Sequence, residues 1–263
     1  MKTLAIVGCG RLGGVVAGAL KMGFLPDYTL KATFSRTYEN AVFLAGEVEG
    51  CIPCRTIDEL IALRPDYIVE AASPAAMRQL AVPALEAGIS IVTLSIGAFA
   101  DDDFYAEVSE AARKSGARVY LASGATGGFD VLRTAALMGQ ACGGAEAKFF
   151  NEKGPNALRG TAVYEDSLQN ESKVVFEGTA REAIAMFPTK VNVTVAASRA
   201  SVGPENMHVT MRSTPGFKGD TQRVEIRNEQ VHAVVDVYSA TSEIAGWSVV
   251  STLRNLCSPI VFV

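Results

Sequence analysis

The stretch Leu4-Ala5-Ile6-Val7-Gly8-Cys9-Gly10-Arg11-Leu12-Gly13-Gly14-Val15-Val16-Ala17-Gly18 decides the fold. Four apolar residues, Leu4 to Val7, run into Gly8-Cys9-Gly10-Arg11-Leu12-Gly13, and a segment rich in small and apolar residues follows. A buried strand, a glycine turn and a helix start in that order make the cradle that holds a dinucleotide pyrophosphate. Gly8 allows the tight turn, Gly10 clears the backbone's approach to a phosphate, and Gly13 lets the new helix lie close to the strand. The first N–H groups of that helix have no acceptor within it and face the anion. Gly8, Gly10, Arg11, Leu12 and Gly13 are therefore the candidate pyrophosphate-binding residues.

Bulk properties narrow the setting. The chain has 263 residues, 49% apolar and 20% charged, enough for a sizeable core in one large domain or two moderate ones. A net charge of −4 argues against a nucleic-acid surface, which needs clustered Lys and Arg. No apolar run approaches the roughly 20 residues that cross a bilayer. Met1-Lys2-Thr3 leads directly into the first strand and leaves no room for a cleavable signal, so a cytoplasmic protein is expected. The five cysteines are an odd number, and Cys9 and Cys142 sit in the apolar or glycine-rich company of reduced residues. Cys51-Ile52-Pro53-Cys54 lacks the second pair or nearby histidines that zinc requires, and reads as a loop before a helix at Thr56–Leu60.

Beyond the first helix, Tyr28–Phe34 reads as strand two. Many NAD-binding folds place an acidic residue at its end for the ribose 2′-hydroxyl; here Ser35-Arg36-Thr37 follows. A hydroxyl plus a guanidinium suits a 2′-phosphate, so Ser35 and Arg36 favour NADP over NAD. Asp66–Ala72 is a further strand, with Ser73 as the N-cap and Pro74 at the first position of a helix reaching about Ala87. Ala72 and Ser73, at a strand end beside the expected crevice, are placed on the nicotinamide ribose side. Strands at Ile89–Leu94 and Arg118–Leu121 flank an amphipathic helix, Asp101–Ser115, that ends at Gly116. Alternation of strand and helix throughout 1–122 implies an α/β, doubly wound parallel sheet of the Rossmann type.

At Ser123-Gly124-Ala125-Thr126-Gly127-Gly128-Phe129-Asp130 the pattern changes. This second glycine turn suggests close backbone approach to a ligand or a hinge, and it leads into a helix at Val131–Met138. Strands are expected at Lys148–Glu152 and Lys173–Gly178, then a helix at Thr179–Phe187 stopped by Pro188, with a further helix possible at Asn192–Ser201. Met207–Arg212, Thr221–Arg227 and Val231–Val237 alternate as strands of an antiparallel sheet. A final helix, Thr241–Leu256, is expected to be capped by Thr241, to gather Ile244, Trp247, Val250 and Leu253 on one face, and to be closed by Pro259. The domains read as 1–122, dinucleotide-binding; 123–240, an α+β substrate domain; and 241–263, a helix and tail packing back on the first.

Several stretches together resemble the L-aspartate dehydrogenase family: Gly8–Gly13, Glu70-Ala71-Ala72-Ser73-Pro74, Gly97-Ala98-Phe99-Ala100-Asp101, Ser123–Leu132, Val175-Phe176-Glu177-Gly178-Thr179, Phe187-Pro188 through Asn192-Val193, and Leu253-Arg254-Asn255-Leu256. The resemblance implies NAD(P)-dependent oxidative deamination of an amino acid, a small-molecule substrate bearing carboxylates, and a homodimer. It implies cofactor contacts at Ala125 and Asn192, and a substrate-domain lysine at Lys153.

One departure stands out. Where the family carries Asp-Pro followed by Asn-x-His, this chain has Thr214-Pro215 and Asp220-Thr221-Gln222, so Gln222 occupies the position of the proposed acid/base histidine. Glutamine has no titratable proton near pH 7 but can orient a carboxylate, an amide or a water. Other candidates for the missing function are His208, on a polar strand face with Asn206, Thr210 and Arg212 that is either solvent-facing or an active-site floor, and Asp220, if its pocket raises its pKa. His232 reads as a solvent-facing strand residue. The leading expectation is an NAD(P)-dependent oxidoreductase acting on a small amino acid or imine. The alternatives are a carbonyl or imine reductase with a different substrate, and a nucleotide-binding protein without catalysis.

Overall fold

The computed structural model describes residues 1–187 and 191–262. The chain divides into two units, one comprising Met1–Gly124 with Glu243–Val263 and the other Ala125–Ser242.

The first unit is built on six parallel strands in the order β3-β2-β1-β4-β5-β6: β1 (Lys2–Val7), β2 (Tyr28–Phe34), β3 (Ile52–Cys54), β4 (Tyr67–Glu70), β5 (Ser90–Thr93) and β6 (Val119–Leu121). Leu4 to Val7 are wholly buried, as a strand covered on both faces requires. The chain runs from β1 to β2 on one side and returns later to place β4 on the other, so the strand order reverses at β1, the position where such sheets take ligands. Helices α1 (Arg11–Lys21), α2 (Tyr38–Ala45), α3 (Ile57–Ala62), α4 (Pro74–Glu86) and α5 (Asp102–Ser115) connect the strands. Their ends follow local chemistry. Thr56 and Ser73 accept from Glu59 N and Ala76 N, Asp101 accepts from Asp103 N and Phe104 N, and Gly116 leaves α5 at φ 76°.

Cys51–Cys54 does not form a loop. Ile52–Cys54 pairs in parallel with Ala32–Phe34 as the outer strand, where Pro53 needs no outward N–H partner.

The second unit carries a five-stranded sheet in the order β11-β10-β7-β9-β8: β7 (Glu146–Lys153), β8 (Lys173–Thr179), β9 (Met207–Ser213), β10 (Asp220–Arg227) and β11 (His232–Ser239). It is mixed rather than antiparallel. Between β9 and β10 lies β7, which pairs parallel to β9 and antiparallel to β10. Sequence neighbours β9 and β10 alternate in polarity as a hairpin would, but pairing belongs to the whole sheet. Helices α6 (Phe129–Ala141), α7 (Ala180–Met186) and α8 (Asn192–Arg199) complete the unit. A capping box between Thr179 and Glu182 starts α7; Pro188, expected to stop it, lies outside the described residues. Gly128, at φ 65°, opens α6 two residues earlier than the hydrophobic pattern suggests.

The final helix, α9 (Glu243–Cys257), starts two residues after Thr241 and belongs to the first unit. Val250 and Leu253 are buried as expected, with Gly246 and Val249 beside them, but the face is turned away from Trp247, which is 40% exposed and meets Phe24 edge to face, and Ile244 is half-buried. Gly246 explains the rotation: a Cβ there would stand 2.8 Å from Val15 Cβ, so the glycine lets α1 and α9 approach closely. Tyr28 donates to the Leu253 carbonyl at 2.8 Å and ties the helix to β2.

Candidate functional site

In the first unit the turn after β1 supplies a fitting cradle for a dinucleotide. Gly8 adopts φ 98°, and a Cβ there would lie 2.7 Å from the Ala71–Ala72 peptide. A Cβ on Gly13 would fall on the Gly8 carbonyl oxygen, whereas one on Gly10 would project into open space with nothing within 4 Å. Gly10 is also the N-cap of α1. No side chain caps that helix and its first turn holds no acidic residue, so its N–H groups are presented where a phosphate would sit. Arg11 and Leu12 form the first helical turn with Gly13.

At the end of β2, Ser35 is half-buried and Arg36 exposed. Phe34 is paired with Cys54, so Arg55 follows at the same end of the neighbouring strand, its guanidinium 3.9 Å from the centre of the Tyr38 ring. Sequence reading missed Arg55 because only the pairing of β2 with β3 brings it beside Ser35 and Arg36.

A second residue missed in this unit is Glu70, which ends β4 with no exposed surface. Its Oε1 accepts from Ala72 N at 2.9 Å, Ser73 N at 3.0 Å and Ser95 Oγ at 2.9 Å, and its Oε2 meets Thr93 Oγ1 at 2.6 Å. Burial pushes the carboxyl above the usual carboxylate range. The candidate nicotinamide-side residues Ala72 and Ser73 are thus anchored from beneath.

The second unit assembles a polar cluster at one end of its sheet. Pairing sets Gln222 opposite Asn151, and Asp220 opposite Lys153, all on the face that carries Phe149, Val224 and Ile226. Asn151 Nδ2 donates to Asp220 Oδ1 at 2.8 Å and to the Thr221 carbonyl at 2.8 Å. Lys153 Nζ lies 3.8 Å from Asp220 Oδ1, with only 13% of its side chain exposed. Gln222, itself 5% exposed, donates from Nε2 to Asp220 Oδ2. A carboxylate only accepts, so this bond turns the amide oxygen away from Asp220. That Oε1 is buried without a hydrogen-bond partner, as are Ser213 Oγ, on the strand paired with Lys153, and Thr126 Oγ1 in the glycine turn. Buried polar atoms left without protein partners are costly in a finished core, which makes these three candidates to meet a ligand or an ordered water.

Of the four catalytic candidates in this unit, three, Lys153, Asp220 and Gln222, come together. His208 does not. It pairs with Lys148 in register, on the opposite face of the sheet, where it is exposed and 3.3 Å from Glu177 Oε1. Alternation along β9 gives it a polar face, but that face is the outer one. Thr214 donates to Glu152 Oε1 at 2.6 Å. Ala125 lies in the turn before α6, and Asn192 is the first residue of α8.

Residues 130–256 match the family model described as "Aspartate dehydrogenase, C-terminal", and residues 8–122 match "Homoserine dehydrogenase, NAD binding domain". An L-aspartate dehydrogenase of Methanosarcina mazei is 31% identical over 99% of this chain and 98% of its own length. Another, from Methanocella arvoryzae, is 30% identical over the same shares. The crystal structure of aspartate dehydrogenase from Thermotoga maritima matches all of both chains with a TM-score of 0.75 at 24% identity, which shows a shared fold. With a nucleotide cradle in one unit, a lysine, carboxylate and amide cluster in the other, and both family models matched, the chain belongs to the L-aspartate dehydrogenase family of nicotinamide-dependent oxidoreductases acting on CH–NH2 donors.

Proposed function

We propose that the protein is an NADP-preferring dehydrogenase that oxidises a small α-amino acid to its 2-imino acid, with L-aspartate the first candidate because relatives about 30% identical over the full length carry that name. The observation that carries this reading is the arrangement of Lys153, Asp220 and Gln222. A largely buried ammonium suits a substrate carboxylate, and an unpartnered, buried amide oxygen suits the N–H groups of a substrate amine. Asp220 and Asn151 hold the Gln222 amide in that orientation.

A bound nicotinamide would supply the acceptor for the hydride of the substrate Cα. The chain's residues bind and orient. Gly8 to Gly13 would hold the pyrophosphate, Ala72 and Ser73 the nicotinamide ribose side, and Ser35, Arg36 and Arg55 a 2′-phosphate. Water attacks the imino carbon, the C–N bond breaks, and the products are a 2-oxo acid and ammonia. Gln222 can position that water or the departing nitrogen but cannot exchange a proton with it.

Steady-state assays with NADP+ and NAD+ at equal concentration, across L-amino acids and, in reverse, 2-oxo acids with ammonia, test the reading. Amino-acid-dependent reduction, faster with NADP+, is the expected result. Turnover of aldehydes or 2-oxo acids without ammonia, or nucleotide binding with no turnover at all, would overturn it.

A further inference from the structure

Glu70 has a carboxyl group at the centre of the first unit that no binding or chemical step described above uses. Burying such a group is expensive, and an apolar residue at the end of β4 would be cheaper. What the carboxyl secures is backbone. Two of its hydrogen bonds go to consecutive peptide N–H groups, Ala72 and Ser73, and the others reach Ser95 Oγ and Thr93 Oγ1 at the end of the neighbouring strand. Thr93 Oγ1 in turn accepts from Ser95 N at 2.9 Å, which closes the network.

The two N–H bonds set two peptide planes. In a trans peptide the carbonyl points opposite to the N–H, so the oxygens of Ala71 and Ala72 are turned away from Glu70. The Ala71–Ala72 peptide is the surface that lies against Gly8, where even a methyl group would collide at 2.7 Å. Ala72 is exposed and Ser73 caps α4 immediately after. One buried carboxyl therefore fixes the chain that borders the phosphate turn and the start of the next helix.

We propose that Glu70 is a positioning residue for the nicotinamide cofactor: it holds the Ala72–Ser73 backbone with N–H groups inward, so that the Ala72 carbonyl is presented as an acceptor to a hydroxyl group of the bound nucleotide's ribose. This rests on the nucleotide site in the first unit and not on the identity of the amino-acid substrate. The role needs three acceptor contacts on one oxygen and a partner for Thr93 on the other atom, and a glutamine meets both. Its Oε1 can take the three donors while its Nε2 donates to Thr93 Oγ1. Burial, which disfavours the charged carboxylate, is consistent with a neutral group serving equally well.

The test is the NADPH dissociation constant, read by nucleotide fluorescence on the folded protein, with apoprotein Tm followed in parallel. Glu70→Gln is expected to stay within about threefold of the parent. Glu70→Leu, which strands both N–H groups, is expected to weaken NADPH by about tenfold or more, the equivalent of one or two lost hydrogen bonds. Ser95→Ala removes one tether at lower risk to folding and is expected to give a weakening of about threefold with the amino-acid KM unchanged. A folded Ser95→Ala or Glu70→Leu protein that binds NADPH like the parent, whatever its Tm, would overturn the proposal and leave Glu70 a purely structural residue. Glu70→Gln weakening NADPH as much as Glu70→Leu would overturn it too. Parent protein that binds no nicotinamide nucleotide would instead bring down the underlying reading of the site.

Discussion

The glycine turn after β1 and the polar cluster on the second sheet are both candidate binding regions, yet they are assembled differently. The turn draws on consecutive residues, Gly8 to Gly13, and its geometry follows from absent side chains. The cluster draws Asn151 and Lys153 from one strand and Asp220 and Gln222 from another, about 70 positions later, and its geometry follows from strand register. A one-residue slip of β10 against β7 would send Asp220 and Gln222 to the outer face and dissolve the cluster. The turn has no such failure mode, but its Gly8 and Gly13 positions admit no side chain.

That contrast predicts where substitutions act. The largest effect is expected from Gly13→Val, whose side chain has to enter the space of the Gly8 carbonyl; NADPH affinity should fall by about a hundredfold or more, with far-UV circular dichroism confirming that folded protein was titrated. Unchanged affinity would show that the turn is not the pyrophosphate site.

Next come changes at Gln222. Gln222→Leu should lower amino-acid kcat/KM by about ten- to a hundredfold, the cost of one or two lost polar contacts, without moving the NADPH dissociation constant. Gln222→His is expected to raise L-aspartate oxidation. No gain in a folded Gln222→His protein would mean that the Asp220–Gln222 pair has rebuilt the pocket around an amide.

Arg36→Ala combined with Arg55→Ala should weaken NADPH about tenfold and leave NADH unchanged, since only a 2′-phosphate distinguishes the two. An equal loss for both nucleotides would remove the basis for NADP preference.

In the packing between α1 and α9, Gly246→Leu is expected to cost about 1–3 kcal/mol by overpacking against Val15, read as a lower Cm in urea with the m-value unchanged. The smallest effect belongs to His208→Ala. On the outer face of the sheet it should leave kcat/KM within about twofold, and a loss comparable to that of Gln222→Leu would return His208 to the reaction.

Much of the first unit was legible because its signals are local. Strand two is read at Tyr28–Phe34 and found there, and Ser73 and Gly116 end their helices by chemistry contained in a few residues. Legibility failed where partners are distant. Cys51–Cys54 looks like a loop until β2 pairs with it, and Trp247 looks like a core residue until Gly246 and Val15 set the rotation of α9. Glu70 was visible within a family-like stretch, but nothing nearby in sequence indicates that Thr93 and Ser95 complete its shell.

Residue order alone is enough to read a strand–glycine turn–helix start, a run of alternating strands and helices behind it, and an amide where the resemblance implies a histidine. These follow from steric and hydrogen-bonding preferences that act over a few bonds. Only the tertiary structure decided which polar side chains share a face: it joined Lys153, Asp220 and Gln222, separated His208 from them, and brought Arg55 to the end of β2. Side-chain alternation tells which residues of one strand point together, and only register tells which strands point with it.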